Sequence, residues 1–272
     1  MAKLSILMSL YEKEKTEYTR ECFDSLLRQT VQADEWVIVE DGPLTDEMYD
    51  LLEEYQRKCP GLIKRVPLSQ NQGLGLALRA GVPKCKNELV ARMDTDDIAR
   101  EDRFEKQLKM FELDSKLDIC GSNIDEFEDN PNIIVAERIV PSSHENIIQY
   151  QKRRDAFNHM TVMYKKQAVL DAGNYKSCPL MEDTYLWARM ILNGANCANI
   201  QEPLVLVRIG TEMFERRGGW KYFKKYKEGR NILLELGFID RVDYYYTLFI
   251  QFIVAMAPRE IRGLIFKKAL HR

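Results

Sequence analysis

The chain has 272 residues, 45% hydrophobic and 30% charged, enough for a sizeable core in one large domain or two small ones. This composition excludes a collagen, a coiled-coil rod, a disordered tail and a polytopic membrane protein. The formal net charge is only -2, yet residues 214–272 hold 13 Lys+Arg against 6 Asp+Glu, a net of +7, which leaves -9 on residues 1–213. An acidic body with a basic tail argues against a nucleic-acid binder basic throughout. It fits a catalytic or binding body attached to something that meets an anionic surface.

Leu4–Leu10 is a short apolar run suited to a buried parallel strand. Although Lys3 precedes it, no small-residue cleavage site follows, and the run passes straight into Glu12-Lys13-Glu14-Lys15, so it reads as a first strand and not a signal peptide. Helical spacing follows over Tyr18–Gln29, a strand over Trp36–Val39, a helix over Asp46–Arg57 and a strand over Leu62–Val66. A helix is predicted for Gly75–Val82, then a strand for Glu88–Met93. Beyond Arg103–Leu113 (helix) and Asp118–Ile124 (strand) the pattern loosens. Ile133–Val140, Thr161–Tyr164 and Leu204–Ile209 read as strands, and Glu145–Gln151 and Glu182–Leu192 as helices. The alternation predicts an α/β fold with a mostly parallel sheet, whose ligands bind at the carboxyl ends of the strands. The six cysteines are scattered, none closer than 19 residues to the next, so a local zinc site is not expected and free thiols in a reducing cytoplasm are.

Those strand ends are acidic. Asp94-Thr95-Asp96-Asp97 follows the fourth strand, and on extended chain Asp94 and Asp96 share a side, about 7 Å apart. Two hard carboxylates there can hold Mg²⁺ or Mn²⁺, leaving positions open for phosphate oxygens. The alternative is a solvated helix start, with Asp97 capping a helix from near Ala99. Glu40-Asp41-Gly42 ends the second strand, where a carboxylate can accept from a base N–H or a ribose hydroxyl, or simply form a turn. Asn71-Gln72-Gly73-Leu74-Gly75 enters a helix; its glycines permit close backbone approach, or serve packing only. Met181-Glu182-Asp183 opens another helix, either as surface charge or as a base held in a partly dry cleft, with Asn158-His159 lining the same cleft.

Together these segments resemble the family 2 inverting glycosyltransferases of GT-A fold. Besides the motifs above, the matching pieces are Ser5-Ile6-Leu7-Met8-Ser9-Leu10-Tyr11, Ala91-Arg92-Met93 before the D-x-D, Asn158-His159-Met160-Thr161-Val162-Met163, and Thr184-Tyr185-Leu186-Trp187 after the Glu-Asp pair. They occur in the family's order over about residues 4–210. The resemblance implies a donor site from Ser9, Tyr11, Asp41, Asn71, Gly75, Arg92, Asp94, Thr95 and Asp96, with Asp41 on the base and Asp96 and Asp94 on a Mn²⁺ or Mg²⁺ ion. It implies Asp183 as the base that deprotonates the acceptor hydroxyl, and His159, Glu182 and Trp187 on the acceptor. Glu40 stands where the family often has Asp. The Gln-x-x-Arg-Trp of processive members is absent, Arg216-Arg217-Gly218-Gly219-Trp220 standing in roughly that region, so transfer of a single sugar is expected.

The expected organisation is a glycosyltransferase domain over 1–213, with a nucleotide-binding half (1–100) and an acceptor half (101–213), and a helical tail over 214–272. Tyr244–Ala257 is almost wholly apolar, yet as a helix it would reach only about 21 Å, short of a bilayer core of roughly 30 Å. Lysines and arginines on both sides, interleaved upstream with Trp220, Tyr222, Phe223 and Tyr226, suit an interfacial helix on anionic lipid. A helix pair packed on the domain, or a dimer interface, is the other reading. The expected partners are a nucleotide-sugar donor, a saccharide or lipid-linked saccharide acceptor and the inner face of the cell membrane; nucleic acid would be repelled by the acidic body. A sugar nucleotidyltransferase and a non-catalytic membrane scaffold are the competing functions.

Overall fold

The computed structural model describes residues 2–210 and 218–258. Arg216, Arg217 and the basic segment from Arg259 to Arg272 lie outside them. Strand β1 (Leu4–Leu10) pairs in parallel with β2 (Glu35–Glu40) and β4 (Leu89–Arg92), and β2 pairs in parallel with β3 (Ile63–Pro67). Beyond β4 come β8 (Met163–Lys165), antiparallel, then β6 (Leu117–Phe127), β9 (Asn196–Arg208) and the two-residue β5 (Ile98–Ala99). The long β6–β9 ladder is again parallel, so the sheet is mixed but mostly parallel.

Burial on both faces explains the unbroken apolar runs. Along β1, Ile6 and Met8 face one core while Leu7 faces the other; along β2, Trp36 and Ile38 alternate likewise with Val37 and Val39. Helices α1 (Thr16–Leu27), α2 (Asp46–Lys58) and α4 (Arg103–Leu113) cover the first face. Thr45 caps α2 by accepting from Met48 N at 3.3 Å, and Asp46 and Glu47 begin it while Arg57 and Lys58 end it, complementing the helix dipole. Helices α3 (Leu74–Gly81), α5 (His144–Gln151), α6 (Lys166–Asp171) and α7 (Glu182–Leu192) cover the second face. Helix α3 lies so near the sheet that a Cβ at Gly81 would sit 2.7 Å from Val39 Cγ2 and press on Leu7. All six cysteines are unpaired.

Three sequence expectations change. The strand expected over Ile133–Val140 pairs only at β7 (Ala136–Arg138), an edge partner of β6, and Ile133, Ile134, Val135 and Ile139 are exposed. Leu204–Ile209 is the end of the much longer β9, which keeps register with β6 through irregularities near Asn123. No helix starts near Ala99: β5 occupies that stretch, so Asp97 caps nothing.

Two further helices, α8 (Gly219–Glu235) and α9 (Arg241–Met256), close the described chain. They build a third core, in which Leu233, Phe238, Ile239 and Tyr244 pack on Cys178, Met181 and Ala188. A Cβ at Gly229 would fall 2.8 Å from Pro179 O, so α8 lies directly against the segment that leads into α7.

Candidate active site

Strand β4 is buried throughout and delivers Asp94, Asp96 and Asp97 to the carboxyl edge of the sheet, with one carboxylate oxygen of each within 4.8 Å of the others. The turn is fastened from behind. Arg208, at the end of β9, donates from its backbone N to Asp97 Oδ1 (3.0 Å) and from Nε to Asp96 O (3.2 Å). Its guanidinium lies 3.9 Å from the Tyr18 ring centroid and pairs with Glu21. Cys22 Sγ donates to Asp94 O (3.3 Å), and Arg103 Nη2 to Arg92 O (2.7 Å).

Crowding raises the proton affinity of these acids. Burial, then the charge of Asp94, pushes Asp96 to about 6, and burial followed by Asp96 and Asp94 drives Asp97 well above the usual carboxylate range. Glu14, just after β1, is pushed up to about 7 by burial and then by Asp96 and Asp94. Oxygen-only carboxylate ligands that repel one another suit a hard divalent cation such as Mg²⁺ or Mn²⁺. Arg92, 1% exposed, supplies the positive charge from beneath: Nη2 pairs with Asp94, while Nε and Nη1 have no hydrogen-bond partner.

The Arg92 charge also reaches the start of α7. Asp183 is half-buried, and its Oδ1 accepts from Thr184 N at 2.8 Å. Burial first, and then the charge of Asp155, raises it to about 7. Asp155 in turn accepts a short hydrogen bond from Thr184 Oγ1. His159 Nε2 lies 2.9 Å from Tyr175 Oη, and burial with the nearby Arg92 charge keeps the imidazole neutral. Asp183 and Arg92 both act on Tyr175, so the Arg92 charge reaches both carboxylate groups.

Several expected contacts are redistributed. Asp41 is buried and both its oxygens are engaged, accepting from Gln72 N (2.7 Å) and Gly73 N (2.9 Å), so it shapes the loop carrying Asn71. Glu40 is taken by an ion pair with Arg65 of β3. Gly75 is buried against Glu182, whose Cγ would lie 2.8 Å from an added Cβ; it permits α3 and α7 to meet at their N-termini. Thr95 is 2% exposed, and Trp187, 1% exposed, is core beneath His159, with ring centroids 5.9 Å apart. Both side chains are buried. Ser9, Tyr11 and Glu182 remain partly accessible, and Asn71 is exposed. Glu14, Asp155 and Arg208 were not singled out by the sequence. Only their charge, in otherwise ordinary polar stretches, hinted at them.

Comparison with known proteins agrees with this architecture. The sequence pattern of Glycosyl transferase family 2 matches residues 5–171. An uncharacterized glycosyltransferase of Haemophilus influenzae is 46% identical over 240 residues, covering 85% of this chain and 88% of that protein. The amylovoran biosynthesis glycosyltransferase AmsE of Erwinia amylovora is 36% identical, covering 97% and 98%. The Escherichia coli UDP-Gal:alpha-D-GlcNAc-diphosphoundecaprenol beta-1,3-galactosyltransferase is 35% identical, covering 99% and 97%. Among solved structures, S. aureus TarS 1-349 in complex with UDP-GlcNAc superposes with a TM-score of 0.63 at 17% identity, over 98% of this chain and 71% of that one. The mannosyltransferase PcManGT of Pyrobaculum calidifontis, in complex with GDP-Man and Mn2+, gives 0.65 at 12% identity, over 100% and 76%. These structural likenesses establish the GT-A fold, and the sequence matches establish more: this chain is a glycosyltransferase and belongs to glycosyl transferase family 2.

Proposed function

We propose that the protein transfers one sugar from a nucleotide-diphosphate donor, a UDP-sugar, to a hydroxyl of a saccharide or lipid-linked saccharide, with inversion at the anomeric carbon. The observation that carries this reading is Asp183: a half-buried carboxylate held near pKa 7 at the start of α7, within reach of the same Arg92 charge that pairs with Asp94 of the D-x-D. A base poised near neutrality is suited to take a proton from a sugar hydroxyl. As the acceptor O–H proton passes to Asp183, the oxygen forms its bond to the anomeric carbon from the face opposite the diphosphate. The carbon–phosphate-oxygen bond breaks and its electron pair leaves on the nucleoside diphosphate.

Asp94 and Asp96 would hold Mn²⁺ or Mg²⁺, with Asp97 and Glu14 as neighbouring acids. Such an ion, when bound, offsets the charge that develops on the leaving diphosphate. Ser9 and Tyr11, at the end of β1, and Asn71, on a loop held by Asp41, would border the donor side. His159 and Glu182 border the acceptor side, His159 as a neutral hydrogen-bonding group oriented by Tyr175. The E. coli and Erwinia relatives, by their names, support a lipid-linked or polysaccharide acceptor. The enzyme would therefore work at the cytoplasmic face of the membrane in surface-polysaccharide or glycolipid assembly, with residues 214–272 as the part that reaches that face.

A panel of nucleotide sugars, assayed with Mn²⁺ for transfer and for slow donor hydrolysis, tests the activity. Asp183→Asn is expected to abolish transfer while nucleotide binding by calorimetry stays within about threefold. Undiminished turnover in that variant removes Asp183 from the base role.

A further inference from the structure

The second half of α9 is apolar on its outer face. Between Tyr244 and Ala257 there is no charged residue, and Tyr245, Tyr246, Phe249, Ile250, Ile253 and Met256 are all exposed, Tyr245 and Phe249 by about two-thirds. The opposite face is buried through Asp243, Tyr244, Thr247 and Ala255. Helix α8 extends the same surface. Its Trp220 stacks on Phe223 (5.5 Å between centroids), and Phe223 meets Phe252 edge-on (5.4 Å). Beside these rings stand four exposed lysines, Lys221, Lys224, Lys225 and Lys227.

We propose that this α8–α9 face lies flat on an anionic lipid bilayer and, by doing so, turns the acceptor side of the active site toward the membrane. The inference rests on the reading of the acceptor as lipid-linked. Helix α9 has 16 residues, about 24 Å of length, and no helix among the described residues is long and apolar enough to cross a membrane. An apolar, aromatic face flanked by lysines is what an interfacial helix presents to acidic headgroups. Charge complementarity selects the occupant: lysines meet lipid phosphates favourably, whereas a second copy placed isologously on the face would bring its own lysines toward these.

The helices are also bolted to the catalytic groups. Arg153 Nε pairs with Asp243 Oδ1 (2.6 Å) and its guanidinium stacks over Tyr246 (4.8 Å), while Arg230 Nη2 donates to Lys152 O (2.7 Å). That loop ends at Asp155, the neighbour of Asp183. Helix α8 touches Pro179 and Met181, the approach to Glu182 and Asp183. A surface fixed on the bilayer thus fixes Asp183 relative to it.

The test is sedimentation of the full chain with vesicles of equal parts phosphatidylglycerol and phosphatidylethanolamine, against phosphatidylcholine vesicles, with no donor present. The wild type should pellet with the anionic vesicles only and be released as NaCl rises from about 0.1 M to about 0.5 M. Phe249→Glu combined with Ile253→Glu should abolish pelleting. Lys221→Ser with Lys225→Ser should weaken it roughly 25-fold, about fivefold per lysine. Both variants should melt like the wild type and keep its vesicle-free donor hydrolysis. Wild-type protein that hydrolyses donor but ignores anionic vesicles overturns the docking and spares the enzymatic reading. Vesicle binding without any donor hydrolysis supports the surface and sinks the enzymatic reading instead. A wild-type dimer that Phe249→Glu/Ile253→Glu dissociates, with no vesicle binding, makes the face a self-interface and overturns the proposal.

Discussion

Asp155→Asn offers the sharpest check on the catalytic reading, because it perturbs the base without touching it. Asp183 sits near pKa 7 through burial and, next, the charge of Asp155. Asparagine removes that charge but keeps an oxygen to accept from Thr184 Oγ1, so the start of α7 should hold its place. A like charge at close range is worth on the order of one pKa unit, about 1.4 kcal/mol. The acid limb of kcat/KM against pH should therefore move from about 7 toward about 6, and near pH 6 the ionised fraction of Asp183 should rise from roughly one-tenth to one-half, about a fivefold gain in rate. Above about pH 8 both enzymes are fully ionised, and the weaker base should make the variant slower by roughly twofold. The two profiles should cross. Glu14 and Asp96 also titrate in this range, but Asp155 is not among the principal causes of either shift, so a displacement produced by Asp155→Asn points to Asp183. A parallel drop at every pH, with the limb unmoved, would refute both the charge coupling and the assignment of that limb to Asp183.

Asp96→Ala should lose most Mn²⁺-dependent binding of UDP; calorimetry that finds equal affinity with and without Mn²⁺ in both proteins removes the metal role. The raised pKa of Asp183 means that its ionised form opposes folding, fully above about pH 7 and not at all below its ordinary value of 3.8. Asp183→Asn should therefore melt higher than wild type near pH 8, by on the order of 2 kcal/mol after allowing for partial exposure, and the gain should vanish near pH 4. Gly81→Val, which drives a side chain into Leu7 and Val39, should lower urea stability by about 2–3 kcal/mol, and an unchanged midpoint would mean that α3 is not seated as described.

The fold was legible wherever burial is two-sided or strictly periodic. Strands β1, β2 and β4 are buried runs because helices cover both faces of the sheet, and α7 keeps its predicted limits, its burial running unbroken from Leu186 to Met190 because it packs into two cores. The stretch Ile133–Val140 misled for the opposite reason: Ile133, Ile134, Val135 and Ile139 lie exposed at an edge, and only the three residues Ala136–Arg138 form a strand. Within the site, contiguous motifs could be read, but groups assembled from distant segments could not. Glu14 belongs to an alternating Glu-Lys run that looks like solvated surface, Asp155 follows Lys152-Arg153-Arg154, and Arg208 ends a strand. Each becomes part of the site only when β1, the loop after α5 and β9 converge. The family resemblance of the segment Met181–Trp187 implies Trp187 on the acceptor. One helical turn carries it inward, where it supports His159.

Convergence of acids also explains why Arg92 is buried at so high a cost. Glu14, Asp94, Asp96, Asp97 and Asp183 come from both sides of the cleft, and the Arg92 charge favours the ionised form of Glu14, Asp96, Asp97 and Asp183. A guanidinium with Nε and Nη1 left without partners is expensive to bury and would be selected against in a purely structural position. Its location lets one charge serve two needs. It pairs with Asp94 at the acidic turn after β4, and with burial it keeps His159 neutral while easing ionisation of Asp183 at the start of α7. The -9 carried by residues 1–213 is therefore not spread evenly as surface charge. Part of it is gathered at one strand edge and one helix start, and a single buried cation from β4 makes that concentration tolerable.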